Sequence, residues 1–108
     1  MPGLGDIKKI MQQAQKFQEQ MAQKQSLLAS REVSATSGGG MVTVVASGDQ
    51  KIKSIKIEKE AIDPSDPQML EDLVLAAVNE ALKKSREMAE QEMQELTSGL
   101  KLNIPGLG

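Results

Sequence analysis

The chain has 108 residues, enough for one domain, and because Phe17 is its only aromatic residue we expect a core of aliphatic and methionine side chains. Since histidine and cysteine are absent, the chain has no imidazole base, no thiolate nucleophile, no Cys/His zinc site and no disulfide. Its net charge of −2 excludes an overall basic protein, and the lack of a long apolar run or a secretory signal favours a cytoplasmic location without a membrane span.

We expect a single domain over residues 1–108, with flexible tails at residues 1–5 and about 100–108. Both ends contain the sequence Pro-Gly-Leu-Gly, which does not favour a helix. The alternative is that the leucine of each tail has a function. A small core without aromatic residues is thin for a monomer, and this favours a homo-oligomer.

The first predicted helix spans residues 6–29, where a heptad stripe contains one lysine among apolar residues. The stripe consists of Ile7, Ile10, Ala14, Phe17, Met21, Lys24 and Leu28. Asp6 is the predicted N-cap. Such a helix is about 35 Å long, more than a small domain needs. It therefore packs on its own sheet alone, or packs there and also contacts a second chain.

Three short runs rich in β-branched residues follow at residues 32–36, 41–46 and 52–57, separated by glycine-containing turns. They predict an antiparallel meander. Gly38-Gly39-Gly40 lacks the spacing of a phosphate-binding loop and predicts a tight hairpin instead. Ile52 is out of phase with Ile55 and Ile57, which a β-bulge or a late strand start would explain.

A second helix is predicted to begin near residue 66 and to end at Gly99. Two caps compete at its start: Ser65 with Gln68, or Asp66 followed by Pro67. Residues 73–78 are apolar almost all round the helix, so more than one side must be buried. One sheet covers only one side, and we therefore predict that a second copy of the chain covers the other. The fold class is α+β, with the order α-β-β-β-α.

The acidic residues predict neither catalysis nor metal binding. Asp63, Asp66, Glu71 and Asp72 lie where carboxylates favour a helix N-terminus, and a site for a hard metal is the weaker interpretation. The glutamates at positions 87, 90, 92 and 95 predict a solvated helix face. We expect a non-enzymatic protein with no cofactor, no metal and no small-molecule substrate.

The basic residues are distributed unevenly. Residues 1–30 and 31–59 each carry a charge of +2, whereas residues 60–108 carry −6. Lysines gather on the first helix, along the third strand and its exit (Lys51, Lys53, Lys56 and Lys59), and late in the second helix. One such group alone is an ordinary solvated surface, but a dimer doubles each group and could align them along a phosphate backbone. The lack of aromatic residues disfavours base stacking.

Taken together, the segments resemble the YbaB/EbfC family of nucleoid-associated proteins. The resemblance rests on MQQAQKFQEQM at residues 11–21, GGGMVTV at 38–44, IKSIKI at 52–57, MLEDL at 69–73 and AVNEALKK at 77–84. No single motif decides it; the order and spacing of the segments over nearly the whole chain do.

The resemblance implies a tweezer-shaped homodimer that binds double-stranded DNA in the nucleoid, alters its conformation and affects gene expression. It places the DNA contacts on the projecting helices, at Lys8, Lys9, Lys16, Lys24, Lys83, Lys84 and Arg86. It places the dimer interface on the sheet and central helix, at Val42, Val44, Ile55, Ile57, Leu73, Val74, Ala77 and Val78. The alternative function is a protein–protein adaptor that acts through its glutamine-rich first helix without binding DNA.

Overall fold

The computed structural model of the chain describes residues 3–102. The elements are α1 (Leu4–Ser30), β1 (Glu32–Ser37), β2 (Val42–Ser47), β3 (Ile52–Ile57), a 3-10 turn at Lys59–Ala61, and α2 (Pro67–Leu102). This order confirms the predicted α-β-β-β-α, α+β fold.

The three strands form one antiparallel sheet in the order β1-β2-β3, which confirms the predicted meander. Ser37 pairs with Val42 across a hairpin in which Gly38, Gly39 and Gly40 have φ angles of 60°, 67° and 95°. Three successive positive φ angles favour glycine, because a Cβ is strained in that conformation. The register shifts between Val45 and Ala46 opposite β3, so of the two explanations for the phase of Ile52 the β-bulge is confirmed.

The core lies between α2 and one face of the sheet. Ala77 and Ala81 are fully buried, as are Val42 and Val44 on the sheet beneath them. These small alanines allow the helix backbone to approach the strands closely. The helix packs across β1 and β2 and leaves β3 largely beyond its edge.

The two helices form an arm that extends from the sheet. Leu28, near the end of α1, is buried beside β2, and Lys24, one turn earlier, contacts Glu92 and Glu95 on α2. The helices therefore run antiparallel from the sheet outward, and the chain measures 75 × 24 × 16 Å. Only the last turns of α1 lie beside the sheet, and farther out α1 contacts α2. The prediction that α1 packs on its own sheet is therefore wrong over most of its length.

The start of α1 differs from the prediction. Its N-cap is Gly3, and Asp6 is the third residue of the helix. The Asp6 carboxylate accepts a hydrogen bond from the Gly3 N–H, with an N···O distance of 3.3 Å. The helix therefore already includes Leu4 and Gly5, which were predicted to lie in a tail. The outer residues of the predicted tails, 1–2 and 103–108, lie outside the described residues.

At the start of α2, the interpretation with Asp66 as the cap is confirmed. The Met69 N–H donates to Asp66 Oδ1 at 3.3 Å, whereas Ser65 donates through its N–H and hydroxyl to Asp63 Oδ1. The predicted stop at Gly99 is wrong, since α2 continues to Leu102. One glycine costs a helix only about 1 kcal/mol, which neighbouring residues offset.

The backbone at Gly48 passes too close to the end of α1 for any larger residue. A Cβ there would lie 2.6 Å from the Leu28 carbonyl oxygen, and the Gly48 N–H donates to Leu28 O and Arg31 O. We therefore expect Gly48→Ala to lower the free energy of unfolding by about 1–3 kcal/mol, as overpacking does. Urea denaturation at one fixed protein concentration measures this.

The matched control is Gly99→Ala, because a Cβ at Gly99 meets nothing within 4 Å. This change should raise stability by about 0.5–1 kcal/mol, since alanine is the better helix former. Equal urea midpoints for Gly48→Ala and the wild type would contradict the prediction and show that the turn at Gly48 can shift away from α1 at no cost in stability.

Candidate nucleic-acid interface

The first group of basic residues lies on the outer part of α1. Lys8, Lys9 and Lys16 are all exposed. Helical rise places Lys8 about 30 Å from Leu28, where α1 meets the sheet. Nearby apolar side chains are also uncovered, with Ile10 62% exposed. The outer part of α1 is therefore a cationic, exposed helix, and we call Lys8, Lys9 and Lys16 the arm lysines.

Lys24, the fourth predicted DNA contact on α1, is placed differently. Its ammonium lies 2.6 Å from Glu92 Oε2 and 3.2 Å from Glu95 Oε2, and its side chain is only 25% exposed. This explains why a lysine occupies an apolar position of the heptad stripe: that position faces α2. Lys24 is thus engaged within the chain, unlike the arm lysines.

Glu92 is the centre of an ion-pair network that the sequence did not predict. It is 8% exposed, so the expectation of a solvated position is wrong. Its Oε2 pairs with Lys24 of α1, and its Oε1 accepts from Arg31 Nη1 at 2.8 Å. One carboxylate thereby joins α2 to α1 and to the residue that precedes β1.

The hydrogen bond from Lys24 holds the pKa of the Glu92 carboxyl below its usual value, and the same contact raises the pKa of Lys24. The carboxyl stabilises the fold above its unfolded pKa of about 4.3, and this contribution is lost as pH falls through the lower folded value. The lysine contribution is complete below its unfolded pKa of about 10.4 and is lost as pH rises through the higher folded value. The pair is therefore fully formed at neutral pH.

The second predicted basic group lies on α2 near the sheet. Lys83 is exposed, Lys84 Nζ donates to the Ser34 carbonyl at 3.0 Å, and Arg86 borders a shallow hollow with Gln50 and Met93. About 30 Å of helix separates this group from Lys8. A single chain therefore presents two separate basic surfaces.

The residues predicted for a dimer interface divide into two sets. Val42, Val44 and Ala77 are fully buried within one chain, so they are corrected to core residues with no surface for a partner. The residues of the second set remain partly or largely exposed: Ile55, Ile57, Leu73, Val74 and Val78.

An uncovered apolar surface lies beside α2, over β3. Leu73 O accepts from Ser37 and Lys84 contacts Ser34, so this side of α2 faces β1. Helical periodicity then turns Val74 and Val78 about 100° and 140° away from Leu73, toward β3, and both are only partly buried where they pack against the core. We call this surface the β3 flank; it comprises Ile52, Ile55, Ile57, Val74, Leu75 and Val78. Ile55 is 46% and Leu75 60% exposed.

Other kinds of site are not evident in residues 3–102. Within this range, acidic residues do not form a group of three or more that could hold a metal ion. Neither of the long helices, over the part of the chain described, has a stretch apolar enough to cross a bilayer. The groove between the helices is lined by both polar and apolar side chains, among them Gln20, Phe17 and Leu96.

Comparison with known proteins gives consistent matches over nearly the whole chain. The profile of the YbaB/EbfC DNA-binding family matches residues 3–100. A nucleoid-associated protein of Clostridium kluyveri is 52% identical, over 97% of this chain and 90% of the relative. One from Pelotomaculum thermopropionicum is 53% identical, over 95% of this chain and 96% of the relative. An uncharacterized protein of Helicobacter pylori, known from its crystal structure, has the same fold: the TM-score is 0.67 at 16% identity, over 93% of this chain and 98% of that one.

Proposed function

Because the chain belongs to the YbaB/EbfC DNA-binding family, we propose that it binds double-stranded DNA as a homodimer and acts in the nucleoid. The observation that carries the proposal is the exposure of Lys8, Lys9 and Lys16 on the outer part of α1. There they are accessible to a phosphate backbone, whereas the acidic Glu92 and Glu95 are paired with Lys24.

The available groups favour contacts to phosphates over the reading of bases. Phe17, the only aromatic residue, is half-buried, which leaves no exposed ring for stacking. Arg31 is held by Glu92, so Arg86 is the remaining arginine for a bidentate contact to a base edge. The protein therefore recognises the backbone and shape of duplex DNA with little sequence preference.

The β3 flank supports the homodimer. It joins the exposed Ile52 and Ile55 of β3 to the exposed Leu75 of α2 at one edge of the core, and the outer edge of β3 has no neighbouring strand among the described residues. A second copy with the same flank would bury both surfaces. Two arms that project from a common centre then grip DNA at separated points, alter its conformation and, through that, gene expression.

Titration of a duplex over about 50–200 mM salt tests the proposal. Neutralisation of about five phosphates predicts a slope of log affinity against log salt near −4 to −5. Affinity that is independent of salt would exclude a phosphate grip. An absence of binding at low salt would exclude DNA binding and leave the adaptor function, for which partners should remain bound after nuclease treatment.

A further inference from the structure

The attachment of α1 to the rest of the chain is confined to its last two turns and a few apolar contacts. Beside the sheet, the Leu28 and Arg31 carbonyls accept from Gly48, and Leu28 is buried. The next polar attachment is Lys24, which pairs with Glu92 at 2.6 Å and with the more exposed Glu95 at 3.2 Å. Farther out, Ile7, Ile10 and Met11 are all more than 40% exposed. The direction of α1 is therefore set near its C-terminal end.

A small change there is amplified at the outer end of α1. Sixteen residues separate Lys24 from Lys8, which corresponds to about 24 Å of helix. A tilt of about 10° at Lys24 would displace Lys8 by about 4 Å over this length. Such a displacement exceeds the length of an ion-pair contact, so the lysine side chain would have to adopt a different conformation to keep its phosphate.

Glu92 is the group best placed to prevent this tilt. It is nearly buried and accepts from Lys24 of α1 at 2.6 Å and from Arg31, beyond the end of α1, at 2.8 Å. One side chain of α2 thus holds both Lys24, within α1, and Arg31, at the C-terminal end of α1. Because a carboxylate accepts from both cations at once, an uncharged amide of the same shape cannot replace it.

We propose that Glu92 is a positioning residue for DNA binding: through Lys24 and Arg31 it fixes the direction of α1 and hence the spacing of the arm lysines. This inference rests on the proposed function. It makes a prediction with an unusual sign. Loss of an acidic residue ordinarily strengthens binding to a polyanion, because it makes the protein less negative. Loss of Glu92 should weaken binding instead.

The matched pair of variants is Glu92→Gln and Glu87→Gln. Each removes one negative charge from α2, but Glu87 is exposed. We expect Glu92→Gln to bind duplex DNA about tenfold more weakly than the wild type, and Glu87→Gln to bind equally well or slightly more tightly. Circular dichroism establishes that each variant is folded under the binding conditions, and Glu92→Asp, which keeps the charge, should recover part of the affinity.

Direction is measured separately, without DNA. The chain has no cysteine, so spin labels at Gln12→Cys and Gln94→Cys report the distance between α1 and α2. Labelled chains diluted into excess unlabelled chain exclude distances between subunits. We expect one narrow distance distribution in the wild type and in Glu87→Gln, and a broader or shifted one in Glu92→Gln.

An unchanged distance distribution in Glu92→Gln would overturn the proposal, as would binding as tight as that of Glu87→Gln. If Glu92→Gln does not fold, Glu92→Asp decides by the same two criteria, with a broadened distribution and weaker binding expected from its shorter side chain. If the wild type itself binds no DNA, the proposed function fails, whereas the distance measurement still decides whether Glu92 fixes α1.

Discussion

Replacement of Lys8, Lys9 and Lys16 by glutamine is expected to weaken duplex DNA binding at least about a hundredfold at 0.1 M salt. Each phosphate contact releases counterions that contribute close to tenfold in affinity at this salt concentration. A dimer carries two copies of the arm lysines, and the expected loss of affinity requires only half of these lysines to contact phosphates. The salt slope should become shallower by about three. Titration of both proteins across the same salt series measures the two quantities together.

The control for this variant is Lys51→Gln with Lys53→Gln and Lys56→Gln. It removes the same positive charge from the turn before β3 and from β3 itself, where all three side chains are exposed. Lys51 and Lys56 already lie within 4 Å of Asp49 and Glu58. We expect an affinity within about threefold of the wild type and a slope changed by less than about one. Equal losses in both variants would mean that binding depends on net charge and not on the arms.

Much of the fold follows from local patterns. The β-branched runs, the glycine turn and even the bulge near Ile52 could be predicted, because each depends on residues close together in the sequence. The helix start at Asp66 and Pro67 also depends on neighbouring residues, and it was one of the two predicted caps. Element ends were less predictable: α1 begins at Leu4 and α2 passes through Gly99, because one glycine or one cap residue changes the helix free energy only slightly.

The ion-pair network could not be predicted, because its members are distant in the sequence. Glu92 is separated by 68 residues from Lys24 and by 61 from Arg31. A series of glutamates on a helix looks the same whether one of them faces solvent or another helix. The one local signal was Lys24 itself, a lysine in an apolar stripe, which needs a carboxylate opposite it if that part of the stripe is buried. That signal identifies the need for a partner without identifying the partner.

The interface residues were ambiguous for a related reason. Alternation shows that Val42 and Val44 share a buried face but does not show whether the same chain or a second chain covers it. In the structure α2 covers them, and Ala77 of α2 is itself buried against the sheet. Because α2 is centred on β1 and β2, the uncovered part of that face lies on β3. The β3 flank thus follows from where a helix is placed, which is a tertiary property.

The double variant Ile55→Glu with Leu75→Glu is expected to convert the proposed dimer into a monomer. It places a charge at two exposed points of the β3 flank, where an interface would have to desolvate it. Light scattering at micromolar concentration should give about 23 kDa for the wild type, twice the chain mass of 11.6 kDa, and the chain mass for the variant. Because the two arms are then no longer linked, affinity for duplex DNA should fall about a hundredfold or more.

A control with the same added charge is Thr36→Glu with Ser54→Glu. Both residues are exposed, on β1 and β3, and the pairing places them on the sheet face opposite Ala35 and Ile55. This variant should remain a dimer, and its DNA affinity should fall only by the few-fold that added negative charge causes. Dissociation of the control but not of the flank variant would place the interface on the sheet face that α2 does not cover. The two arms would then project from that face of the sheet. A monomeric wild type would instead mean that each arm binds DNA independently, with a salt slope no steeper than one set of arm lysines allows.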